Sequence, residues 1–363
     1  MNERQKIRVT IIAPGPRSEG GIKSVVARIF PRLKLREDLD VVWIASQRSG
    51  SAFAKISCFL GALARSLYYL PRSAVVHLHG TVGLSLLRKS FFIWLARISG
   101  CRIAYHFHAP QSVFEKFFEK PGFMRSYALA TLKKCDAIVV LSDSWKETVR
   151  AVLPDSEIVV IYNPVMEALG GATAHVEGSL DVLYLAHLIR RKGFDDLVKA
   201  FAKVVDKVPD ARLVFCGSGE TKYAQELSEK LEISRNVIFR GWIPEKEIAK
   251  ELSGAAVFCL PSYDEGLPMG ILEAMSSGVA VVATPVGGIP DVLSHEDNAL
   301  LVEPGDIEGL SEQLTRLLTD EVLRKRLADK ALQQSGRFVP GKVAEEWAEL
   351  YHGNTVSSRG AGA

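Results

Sequence analysis

Several common protein classes are set aside by what this sequence lacks. It has five cysteines, at positions 58, 101, 135, 216 and 259, an odd number never spaced as C-x-x-C. That spacing argues against a disulfide framework and against a cysteine-held metal, and reduced, mostly buried thiols are expected. No run of eighteen uncharged apolar residues occurs, so no transmembrane helix is expected. The opening stretch MNERQKIRVTIIAPG has no long apolar segment and no small-residue cleavage site, and reads as lacking a signal peptide. The expectation is a cytoplasmic protein. Acidic residues are missing over a long span, with none between Asp40 and Glu115 against eight basic residues. Residues 1–165 hold 24 Lys+Arg and 12 Asp+Glu, whereas residues 166–363 hold 21 and 30. A basic first half fits an anionic partner such as a membrane surface or a phosphorylated acceptor, or is simply a solvated face. No array of stacking aromatics accompanies the basic residues, so no nucleic acid is expected.

What is present describes a globular chain. Its 363 residues, 47% hydrophobic and 24% charged, suffice for two domains. Brief β-branched runs at 7–13, 41–45, 74–79, 102–108, 137–141 and 158–162 read as strands. Amphipathic stretches at 22–33, 53–70, 84–99 and 124–134 alternate with them as helices. The alternation stops at Asn163-Pro164, where a small, Gly-rich segment reads as a linker. It restarts with strands at 180–185, 212–216, 237–240, 256–260 and 280–283. Helices are expected at 194–208, 222–231, 244–253, 269–276 and 307–318. The reading is α/β: a Rossmann-like domain at 1–165, a linker at 166–179 and a second Rossmann-like domain at 180–340. A last helix at 341–353 possibly crosses back to the first domain, and 354–363 read as a disordered tail. In such folds ligands bind outside the carboxyl ends of the strands, so chemistry is sought at strand-to-helix junctions.

Four junctions carry candidate residues. Gly20-Gly21 opens a helix after the first strand, where free amides suit an anion, although an ordinary tight turn has the same look. Its setting is not G-x-G-x-x-G, which speaks against a nicotinamide dinucleotide. Histidines pair at two strand ends, His77/His79 and His106/His108, with His108 at the loop edge. No further ligand stands at zinc-like spacing along the chain, so core or substrate-facing roles are preferred and no metal is expected. Arg190-Arg191-Lys192-Gly193 places cations where they can clamp a diphosphate, or form a solvated turn. The fullest segment is S-Y-D-E-G-L-P-M-G-I-L-E-A-M at 262–275. Pro268 is expected at the first helical position, with free amides near Leu267, Met269 and Gly270 forming an anion site. Glu265 stands before that site and Glu273 on the helix, able to accept hydrogen bonds from sugar and ribose hydroxyls.

With these residues in place the chain resembles the retaining glycosyltransferases of family 4, over nearly its whole length. The resemblance rests on Gly20-Gly21, on His108 in HFHAP, on R-K-G at 191–193 and on CGSGE at 216–220. Above all it rests on Glu265, seven residues, Glu273, followed by GVAVVATPVGGIPDVL and NALLVEPGD. It implies the GT-B fold, two Rossmann-like domains facing across a cleft. It also implies a hexosyltransferase that uses a nucleotide-sugar donor, retains configuration and needs neither metal nor cofactor. Glu265 would hold the transferred sugar, Glu273 the ribose, and His108 the region of the reacting carbon. Gly20, Gly21, Gly266, Leu267 and Pro268 would bring backbone to the diphosphate that Arg191 and Lys192 neutralise. The acceptor would be lipid-linked or glycan, in surface-glycan assembly. The helix at 53–70, apolar with Lys55 and Arg65, would then touch an anionic membrane or face the core. One departure is Ala186-His187, where the family usually has Gly-Arg. A nucleotide-sugar epimerase, or a binding protein without activity, is the alternative.

Overall fold

The computed structural model describes residues 6–16, 18, 20–166 and 178–354. Of the expected linker, 167–177 lie outside these residues, as do 355–363 of the tail and Arg17 and Glu19 of the first turn. The chain forms two compact units, Met1–Pro164 with Pro340–Ala363, and Val165–Val339.

The first unit runs β1 (Ile7–Pro14), α1 (Gly21–Lys34), β2 (Leu39–Gln47), α2 (Ala52–Tyr69), β3 (Val75–Gly80), α3 (Leu84–Ile98), β4 (Arg102–Phe107), α4 (Gln111–Glu119), α5 (Phe123–Leu132), β5 (Ala137–Val140), α6 (Asp143–Val152) and β6 (Ile158–Val160). Its sheet has the order β2-β1-β3-β4-β5-β6, with every pairing parallel. Residues of β3 are buried throughout, as a parallel strand covered on both faces requires.

The second unit runs β7 (Asp181–Leu185), α7 (Phe194–Lys207), β8 (Arg212–Cys216), α8 (Thr221–Lys230), β9 (Val237–Gly241), α9 (Glu245–Gly254), β10 (Val257–Leu260), α10 (Met269–Ser276), β11 (Ala280–Ala283), β12 (Leu300–Leu301), α11 (Ile307–Thr319) and α12 (Glu321–Ser335). Its sheet, also parallel, has the order β12-β11-β10-β7-β8-β9. Helix α7 shows why these segments are helical. Phe194, Leu197, Val198, Phe201 and Val204 recur at three- and four-residue spacing and are all fully buried. Helices α11 and α12 start on Asp306 and Asp320, whose carboxylates accept from the amides of Gly309 and Leu323 at 2.9 Å; such caps contribute about 1 kcal/mol each.

The last helix, α13 (Pro340–His352), belongs to the first unit. Its Val343, Trp347, Leu350 and Tyr351 join Val26, Ile29 and Leu33 of α1 and the strands β1, β2 and β5 in one buried core. Helices α4, α6 and α12 were not marked by the apolar pattern. The buried face of α12 uses Ala328 and Ala331 beside two leucines, too slight a stripe to stand out against its charges. Among the described residues no helix is long and apolar enough to cross a membrane.

Candidate functional site

Both sheets reverse their strand order once, and at such a switch point two loops leave the carboxyl edge in opposite directions and open a crevice. In the second unit the reversal lies between β7 and β10. The loop after β7 carries Arg190–Lys192 as a short 3-10 turn, and the loop after β10 carries 261–268. Lys192 Nζ donates to Glu265 Oε1 at 2.6 Å, and Ser262 Oγ donates to the same oxygen at 2.7 Å. Arg191 Nη1 donates to the carbonyl of Asp264, and the amide of Tyr263 donates to the carbonyl of Arg191 at 2.8 Å. The two loops are thus stitched together by one ion pair and backbone contacts. Gly193 makes the approach possible. Its φ of 66° is left-handed, and a Cβ there would stand 1.9 Å from the carbonyl oxygen of Pro261.

Glu265 and Glu273 are 5% and 3% exposed, so the burial of both carboxylates is a property of the folded site and not of a solvated surface. Glu273 lies in the second turn of α10, and Gly270 in the first. Pro268 is buried and extended (φ −71°, ψ 127°) at the N-cap, one position earlier than expected. The reason is that its carbonyl already accepts from Ile271 at 3.2 Å, which makes it the flanking residue and not the first helical one. Met269 and Gly270, at the helix start, have no carbonyl one turn back within α10, so their amides face the loop of Gly266 and Leu267. Gly266 is anchored by its carbonyl, which accepts from the amide of Gly288 at 2.7 Å.

The neighbouring cations divide by exposure. Arg190 is exposed, lies 3.4 Å from Asp195 and 3.9 Å from Glu220, and covers the ring of Tyr223 at 4.7 Å. Arg191 and Lys192 are half-buried and point into the loop pair. His187 is exposed, with Nδ1 3.2 Å from Ser218 Oγ. Of these, Arg191 and Lys192 are the cations held beside Glu265.

In the first unit the reversal lies between β1 and β3. Gly20 caps α1 after β1 with φ 110°, a conformation that favours glycine, and among the described residues beyond its chain neighbours none stands within 4 Å of where its Cβ or that of Gly21 would be. Among the described residues the start of α1 has no side-chain cap and no acidic residue in its first turn, which suits an anion at the helix end. His108 follows β4, half-buried, its amide donating to the carbonyl of Gly80 at 2.9 Å. Its Nε2 is 2.9 Å from Nδ1 of His79. Burial pushes the His108 imidazole down to about 3, so the ring is neutral at neutral pH. The register pairs His79 directly with His106, and the residues two apart along each strand share a face. All four imidazoles therefore meet on one face of the sheet, a juxtaposition that spacing along the chain does not reveal.

Two further buried side chains, Ser262 and Lys89, have no motif of their own to mark them. Ser262 holds Glu265 and is itself held, its carbonyl accepting from Thr284 Oγ1; its only sequence signal was its place three residues before the glutamate. Lys89, 5% exposed, donates to the carbonyl of Ile12 at 3.0 Å and to Ser46 Oγ at 2.6 Å, and burial lowers its ammonium to about 7.

Comparison with known proteins gives a consistent picture. The model described as Glycosyltransferase Family 4 matches residues 3–168, and that described as Glycosyl transferases group 1 matches residues 167–334. An uncharacterized glycosyltransferase of Haemophilus influenzae is 31% identical over 216 residues, 59% of this chain and 60% of that protein. The N-acetyl-alpha-D-glucosaminyl L-malate synthase of Bacillus anthracis is 30% identical over 233 residues, 61% of this chain and 60% of the relative. The chain thus spans three fifths of the length of these two relatives. Among solved structures, Anabaena HepE in complex with UDP-glucose superposes with a TM-score of 0.75 over 96% of this chain and all of that one, at 18% identity.

Proposed function

The chain belongs to the family 4 glycosyltransferases, with two parallel six-stranded α/β sheets in the GT-B fold class, and we propose that it moves a hexose-type sugar from a nucleoside-diphosphate sugar to a lipid-linked or polysaccharide acceptor in surface-glycan assembly. The observation that carries this reading is the buried Glu265, held by Lys192 and Ser262 on the loop that opens α10, with Glu273 eight residues further on. Similarity to HepE, solved with UDP-glucose, supports a nucleotide-sugar donor.

In this reading Glu265 Oε2 accepts a hydroxyl of the transferred sugar, because Lys192 and Ser262 both occupy Oε1. Glu273 accepts from the ribose. The diphosphate lies against the backbone of Gly266, Leu267 and Pro268 and the first amides of α10, and Arg191 and Lys192 balance its charge. In the first unit, Gly20 and Gly21 at the start of α1, together with His108, are the residues proposed to bind the donor. As the C1–O bond to the diphosphate breaks, charge develops on the leaving oxygen, and fixed amides and cations stabilise it without reorganising. The acceptor oxygen bonds to C1 from the same face and passes its proton to the departing phosphate, which retains configuration. These groups are the chain's own, so the reaction is proposed to run without a metal on the diphosphate and without a cofactor.

A peripheral position at the inner membrane face is part of the proposal. Phe53, Ile56 and Leu60 of α2 and Phe91, Trp94 and Ile98 of α3 are exposed, and Phe59 joins the two helices edge-on to Phe91 and Phe92 at 5.9 and 5.7 Å. Lys55, Arg65, Arg72 and Arg97 on or beside these helices supply the positive charge that an anionic surface attracts. The test is release of nucleoside diphosphate from each donor, with lipid-linked acceptors, in the presence of a chelator, with the anomeric configuration of the product read by NMR. Acceptor-dependent release with retained configuration is expected. Release with no acceptor present would favour a hydrolase or epimerase instead.

A further inference from the structure

The four-histidine face of the first unit contains more than the donor-facing role proposed for His108 uses. His77, His79 and His106 are 0–1% exposed, and each offers a ring nitrogen that lies within 4.8 Å of those of the other two. Among the described residues, Nε2 of His77, Nε2 of His79 and both nitrogens of His106 have no hydrogen-bond partner. A buried polar group without a partner is costly, and four such nitrogens at one spot call for something that satisfies them.

The partners that do exist point to what that is. His77 Nδ1 bonds Tyr351 Oη at 2.7 Å, and His79 Nδ1 bonds His108 Nε2 at 2.9 Å. When Nδ1–H is the donor in each pair, Nε2 of both rings carries a bare lone pair. Metal-ligating histidines have this arrangement, since the second nitrogen is usually fixed by a hydrogen bond that sets tautomer and orientation. Burial keeps all three imidazoles neutral, the ligand form. The Trp347 ring stacks on His77 with centroids 3.8 Å apart, and the ring of the half-buried His108 packs against His106 at 4.0 Å.

We propose that His77, His79 and His106 form a binding site for a late first-row divalent cation, zinc foremost, which ties β3 to β4 beside α13. Neutral imidazoles without a carboxylate or thiolate select this class over magnesium or calcium. Zinc–nitrogen bonds of about 2.0–2.1 Å require the three rings to draw together on loading. The three proposed ligands are not among the residues proposed to bind the donor, although His79 is bonded to His108.

The experiment uses tag-free, chelator-treated protein titrated with zinc and, separately, with cobalt. One equivalent of zinc per chain, together with the visible bands of low-coordinate cobalt, is expected. Tyr351→Phe, which removes only the outer hydrogen bond, should weaken zinc binding about 10–100-fold while circular dichroism stays native, and His106→Gln should abolish the cobalt bands. His295→Gln, at an exposed histidine of the other unit, should change nothing. Absence of a bound equivalent in wild-type protein would overturn the proposal, and so would cobalt bands that survive in His106→Gln. Neither outcome bears on donor turnover, so failure here is separable from failure of the proposed function.

Discussion

The first unit buries bases and the second buries acids. His77, His79, His106 and Lys89 lie inside the one; Asp195, Asp196, Glu265 and Glu273 lie inside the other. Their handling differs as well. The histidines are kept neutral by burial, whereas Asp195 and Asp196 are paired with Lys199 and Glu265 with Lys192. The outer surfaces differ in the same sense. Of the sixteen exposed large apolar side chains among the described residues, thirteen lie in the first unit. One scaffold, built twice, therefore carries two chemistries: a polar, ion-paired crevice in the acidic half, and a basic half with an apolar exterior. Sheet topology does not set this division. The side chains at the strand ends do.

The comparison can be tested most severely at Trp347. Trp347→Ala removes a fully buried ring from the core of the first unit and should destabilise that unit by about 3–5 kcal/mol. Scanning calorimetry should show its transition move while that of the second unit stays. A common shift would mean that the two units do not unfold separately. In the second unit, Lys192→Met leaves Glu265 buried without its cation, and should cost roughly 3 kcal/mol or more. Lys192→Arg should recover part of that loss in the same denaturant titration.

Acid should separate the units next. In metal-free protein the folded histidines stay neutral far below their usual value, so below about pH 6.5 the unfolded chain takes up protons that the folded first unit refuses. Stability is held above that pH and lost as pH falls through it, by about 1.4 kcal/mol per pH unit for each histidine. A first-unit transition that is flat between pH 7 and pH 5 would contradict this. The smallest effect is expected at the surface: Phe53→Ser with Ile56→Ser should weaken sedimentation with anionic vesicles and leave turnover of a water-soluble acceptor unchanged.

Much of this was legible in the chain. Short β-branched runs alternating with amphipathic stretches placed strands β8 and β11 and helix α10 at their ends, because a parallel strand is buried on both faces and a covering helix on one. The segment around Glu265 was legible because proline, glycine and two acids in one loop have few other uses. What stayed hidden depends on contacts between distant residues. Lys192 meets Glu265 only because β7 and β10 are neighbours, and His79 meets His106 only because β3 and β4 pair in that register. Pro268 fell one position from its expected place because a proline suits either side of a helix start.

The most direct test is a thermal-shift panel of UDP-, GDP- and ADP-sugars on wild-type protein and on Glu273→Ala. A donor at about a hundred times its dissociation constant adds roughly 2.7 kcal/mol to the folded state. The expected result is a shift with sugars of one base, without added magnesium, that is lost in Glu273→Ala while the unliganded melt is native. An equal shift in Glu273→Ala, or none with any donor on wild type, would contradict the placement of the donor at the α10 crevice.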